Sequence, residues 1–78
     1  MDNFILCFYD NDRTLAQKIV AAANWYTLKR GTVPNVAYVN AEQYAEEKPN
    51  VSGIRVVPAT AETVREHYVY VGVEEERE

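Results

Sequence analysis

Leu15, Ile19, Ala22 and Tyr26 stand at spacings of four, three and four, on a segment bracketed by two short apolar runs. That spacing draws one stripe down an α-helix. A helix apolar on one side only must bury that side against another layer. Ala16, Val20 and Ala23 widen the stripe, and the four alanines at 16 and 21–23 favour helix intrinsically. Asp10-Asn11-Asp12 supplies N-cap oxygens, so the helix is expected from about Arg13. Lys29 and Arg30 suit its negative end, and Gly31 is placed to cap it.

The run before the helix, Asn3 to Tyr9, alternates without a polar face. Phe4, Leu6 and Phe8 point one way and Ile5, Cys7 and Tyr9 the other. Apolar character on both faces predicts a central strand with neighbours on each side. After the helix, Val36 to Asn40 reads as a second strand. Ala41 to Glu47 reads as a short helix capped by Asn40, with Tyr44 and Ala45 turned inward. Gly53 to Val57 forms a third strand ended by Pro58, and Ala59 to Glu66 a polar connection. His67 to Val73 alternates as a fourth strand, with Val69, Val71 and Val73 on one face and Tyr68 and Tyr70 on the other.

The expected fold is therefore α/β (α+β), a two-layer sandwich in the order β-α-β-α-β-β. Its sheet is mixed and four-stranded, with one long and one short helix on one face. The first two strands are expected as a parallel pair and the last two as an antiparallel one. With 78 residues there is room for one domain, assigned to 1–73, which buries only about 60% of its unfolded surface. Residues 74–78, Glu-Glu-Glu-Arg-Glu, are expected as a solvated acidic tail.

Chemistry-bearing residues are few. One cysteine, Cys7, excludes an internal disulfide and fits a reducing cytoplasm. In an apolar strand it is expected as a small hydrophobe. His67, the single histidine, reads as a surface residue. Together they cannot supply the four ligands of a structural zinc site. Gly31, Gly53 and Gly72 are too dispersed for a phosphate loop. Asp10 and Asp12 end the first strand, where α/β sheets often place sites, and could hold Mg²⁺; helix capping is the preferred reading. No catalytic residue, metal or cofactor is implied. No stretch has the roughly 18 apolar residues of a membrane span. Asp2 stands where a signal peptide would be positive, so an intracellular chain is expected.

Two resemblances attach to particular residues. The run Gly53-Ile54-Arg55-Val56-Val57-Pro58-Ala59-Thr60, after a strand, helix and strand, is similar to the approach of the thioredoxin family to its cis-proline. Asp10 to Arg13 stand where that family's paired cysteines open the first helix, which leaves redox activity without support. The spacing from Pro34-Asn35-Val36 through Tyr44 and Gly53–Val57 to His67–Val73 resembles small uncharacterised proteins of phages and prophages. That resemblance implies no activity and no site residues.

If Phe4, Leu6, Phe8, Val69, Val71 and Val73 meet the helix, alternation puts Ile5, Cys7, Tyr9, Tyr68 and Tyr70 on the opposite sheet face, joined by Arg55 and Tyr38. Tyrosine and arginine are enriched at protein interfaces. The expected interaction face is thus Tyr9, Tyr38, Arg55, Tyr68 and Tyr70, with Trp25 and Leu28 as a secondary contact. The function expected is a non-enzymatic interaction protein that pairs with itself or docks a protein partner. Single-stranded nucleic acid stacked on the tyrosines is the alternative; a net charge of −4 counts against it. A small metal-dependent or redox enzyme of thioredoxin-like architecture is the third reading.

Overall fold

The computed structural model describes residues 5–74. Four strands and two helices follow in the expected order: β1 (Ile5–Tyr9), α1 (Leu15–Arg30), β2 (Val36–Asn40), α2 (Ala41–Glu47), β3 (Arg55–Ala59) and β4 (Tyr68–Gly72). The strands form one mixed sheet in the order β1-β4-β2-β3. β4 runs antiparallel to both β1 and β2, while β3 lies parallel to β2.

This order corrects three expectations about pairing. β1 is an edge strand, not a central one. β1 and β2 share a direction, but β4 lies between them, and β3 and β4 are not neighbours. The cause is that apolar residues on both faces measure cover above and below a strand and say nothing of its lateral neighbours. β3 also continues through Pro58, which pairs with Val39. An edge strand tolerates proline because its missing N–H can face away from the ladder; no cis peptide bond occurs among the described residues.

α1 packs on β1 and β4, and α2 on β2 and β3. Leu15, Ile19, Ala22 and Tyr26 close over Ala37, Val39, Val69 and Val71, and Leu6, Phe8, Tyr44 and Val56 border this core. Every strand residue among these has the parity of Leu6, so both helices cover the same sheet face. Burying a Val, Leu or Ile side chain stabilises by about 1.5–3 kcal/mol, so this cluster carries most of the fold. Val20 is exposed, and the stripe is completed instead by Lys18. Val73 is exposed as well and does not reach the helix; Phe4 and residues 75–78 lie outside the described residues.

Local chemistry explains where the elements start and stop. Thr14, and not Asp10–Asp12, caps α1: its hydroxyl accepts from the Gln17 N–H and the Gln17 side chain accepts from the Thr14 N–H. Gly31 closes α1 at φ 73°, a left-handed geometry that costs glycine little. In α2, Gln43 is buried where Ala45 was expected, and Ala45 is exposed.

The Ala59–Glu66 connection is not simply polar, since Val64 within it is fully buried. Asn40 holds that connection and the start of α2 together. Its Oδ1 accepts from the Glu42 and Gln43 N–H groups, and its Nδ2 donates to the Val64 carbonyl at 3.0 Å. Asn40→Ala therefore removes a cap and strands a buried carbonyl, and should cost about 2–4 kcal/mol in urea unfolding. Asn40→Asp keeps the cap acceptor and loses the donor, so it should restore only part of that loss.

Candidate interaction surface

The register lines up the residues of the uncovered sheet face in rows. Tyr9 lies opposite Tyr68. Cys7, Tyr70, Tyr38 and Val57 form the next row across all four strands, followed by Ile5, Gly72, Val36 and Arg55. The Asp10 N–H donates to the His67 carbonyl at 3.2 Å in the same register. Hydrogen-bonded and non-hydrogen-bonded pairs alternate along an antiparallel ladder. Phe8–Val69 and Leu6–Val71 therefore exchange the backbone bonds. Tyr9–Tyr68, Cys7–Tyr70 and Ile5–Gly72 are the non-bonded pairs, whose side chains approach most closely.

Side-chain geometry agrees. The Tyr9 and Tyr68 rings lie 4.9 Å apart, tilted by 51°. Tyr9 also meets the His67 ring edge-on at 6.4 Å. His67 is half-buried and held from two sides by Gln43, whose Oε1 accepts from the His67 N–H at 2.9 Å and whose Nε2 lies 3.3 Å from Nδ1. The Tyr70 hydroxyl is pushed above the ordinary tyrosine value of 10.0, first by the charge the Cys7 side chain carries when ionised, then by its hydrogen bond with Cys7 and by burial.

Exposure on this face is graded. Along β1, Ile5, Cys7 and Tyr9 are exposed; Tyr68 and Tyr70 on β4 and Tyr38 on β2 are half-buried; Val36 and Asn40 are buried. The accessible part is the β1–β4 half. Arg55 stands at the far corner in an ion pair with Glu74. Glu74 is also bound by Asn35, which donates from Nδ2 to its carbonyl and accepts from its N–H. Glu74 thus belongs to the fold and not to a solvated tail. Trp25 and Leu28 are exposed on α1, in the other layer, and do not join the tyrosines.

Asp10 and Asp12 have a different role from those expected. Asp10 accepts from the Asp12 N–H at 2.7 Å and pairs with Arg13 at 3.1 Å, closing the turn before Thr14. Among the described residues no three His, Cys, Asp or Glu side chains are placed to hold a metal ion, and no helix is long and apolar enough to cross a membrane. Comparison with known proteins finds no matching family model, no similar curated protein and no matching solved structure.

Lys18 is the residue that sequence reasoning passed over. It is 1% exposed on the core-facing side of α1. Desolvation lowers its pKa from the ordinary 10.5, while the carboxylates of Glu47, Asp10 and Glu66 act in the opposite sense. Its spacing, three residues after Leu15 and four before Ala22, already placed it on the stripe. Because the folded pKa lies below the unfolded one, the folded state binds fewer protons between them, and stability rises with pH through that window. Lys18→Met should therefore be more stable than wild type at pH 7, by about 1 kcal/mol. The gap in urea midpoints should narrow as pH approaches 10.5.

Proposed function

We propose that this chain is a non-enzymatic interaction protein whose working surface is the exposed β1–β4 half of the tyrosine-bearing sheet face, met by a second copy or by another protein. The observation that carries this reading is the contiguity of Ile5, Cys7, Tyr9, Tyr68 and Tyr70 on a face that neither helix covers. Tyrosine suits such a surface because it offers large apolar area with a polar tip at low entropic cost. An exposed apolar patch of this kind commonly marks a contact.

Neither β1 nor β4 carries a charged side chain; Arg55, at the far corner, is paired with Glu74, and Arg65 beside Tyr70 is a single cation. Phosphate backbones draw their affinity from Lys and Arg, so this surface favours protein over nucleic acid.

Sedimentation over a wide concentration range tests the reading. Wild type should associate as concentration rises, and Tyr9→Ser/Tyr68→Ser should raise the dissociation constant about tenfold or more, equivalent to about 1.4 kcal/mol. Association that the double variant leaves unchanged would place the contact elsewhere.

A further inference from the structure

We infer that a second copy of this chain joins along the free edge of β1, antiparallel about a two-fold axis at Cys7, to form one eight-stranded sheet. The inference rests on the reading of the protein as an interaction module and adds a contact at the sheet edge, one that leaves Tyr68 and Tyr70 on the open face. Because Leu6 and Phe8 spend their backbone groups on β4, the N–H and C=O groups of Ile5, Cys7 and Tyr9 point away from the sheet. In a single chain they face solvent, and an added extended strand is the partner that would take all of them. Among the described residues β1 lacks three of the devices that protect an edge: Ile-Leu-Cys-Phe-Tyr contains no charge and no proline, and its register with β4 runs without a bulge.

Three features favour a second copy over a foreign strand. The first is register. Pairing Ile5 with the partner's Tyr9, Cys7 with the partner's Cys7, and Tyr9 with the partner's Ile5 uses every outward group of β1 and is symmetric by construction. The second is charge. The chain carries a net −4, yet β1 and α1, the two elements along this edge, contain no Asp or Glu. Self-pairing here therefore brings no two carboxylate-bearing elements together.

The third is the position of Trp25. Ala16 lines a depression with Glu47, Lys48 and Pro49, so that flank of α1 faces α2. Trp25 lies nine residues further on, half a turn around the helix, and so overlooks the outer edge of β1. α1 packs across the β1–β4 seam. With strands about 4.8 Å apart, the two-fold sets the two α1 axes roughly 10 Å apart, the spacing of helices in contact. Trp25, 50% exposed in the single chain, fills that gap.

The area is adequate for a reversible dimer. Tyr9 and Trp25, each about half exposed, offer about 100 Å² apiece. With Ile5, Cys7, Leu28 and the strand edge the total approaches roughly 1,000 Å² over both copies, at the low end for specific contacts.

The test is cross-linking of the full wild-type chain through Cys7, its single thiol, with a short bis-maleimide, alongside sedimentation. Facing Cys7 Cα atoms would lie about 5.5 Å apart, so covalent dimer should form in proportion to the sedimenting dimer. Trp25 emission should shift blue over the same concentrations. Cys7→Lys sets like charges opposite one another and should abolish the dimer with the far-ultraviolet circular dichroism unchanged; Ile5→Lys is the second such variant. A dimer that does not cross-link overturns edge pairing while self-association stands. A monomer at every concentration overturns the inference and leaves the tyrosine face to a foreign protein.

Discussion

β4 holds the molecule together, because it is bonded on both sides and covered above. Its Val69 and Val71 are fully buried under α1, while its backbone pairs with β1 on one side and β2 on the other. Without it, β1 and β2 have no common neighbour, and α1 has no floor across the seam it packs on. The strand that completes the sheet is thus the last in the chain. The loop-closure entropy of bringing it back must be met before those contacts form. The ties at either end of β4 fit that burden: Gln43 fixes His67 at its start, and Asn35 clamps Glu74 just past its end.

Side-chain hydrogen bonds to the backbone do the rest of the positioning. Asn40 serves as an N-cap and as the anchor of the β3–β4 connection, and Glu47 accepts the Leu15 N–H at 2.7 Å, joining the end of α2 to the start of α1. Such bonds are modest individually, about 1 kcal/mol each, but leaving their partners unpaired costs more. Lys18 differs in kind. Its burial opposes the charged state, and three carboxylates lessen the penalty without removing it.

The two faces of the sheet divide structure from proposed function. The helix-covered face is mostly aliphatic and is closed by the two helices. The other is aromatic and most open along β1, where backbone groups also lack a strand partner among the described residues. A surface with side chains on its face and free hydrogen-bonding groups on its edge suits recognition of another protein chain.

Much of this architecture was legible in the chain itself. The element order, the α1 stripe, Gly31, the Asn40 cap and the placement of the tyrosines opposite the helices all follow from local periodicity, which is set by backbone geometry and read directly from spacing. Lys18 was legible too, as a charge standing on an apolar stripe. What the tertiary structure alone decided was adjacency. That β4 inserts between β1 and β2, that β1 becomes an edge, that Val64 is buried and that Gln43 meets His67 all depend on pairings distant in sequence, which period-two alternation cannot encode because it is blind to lateral neighbours. The sequence by itself determined which side chains share a face. Only the packing decided that the open face ends in an unpaired strand.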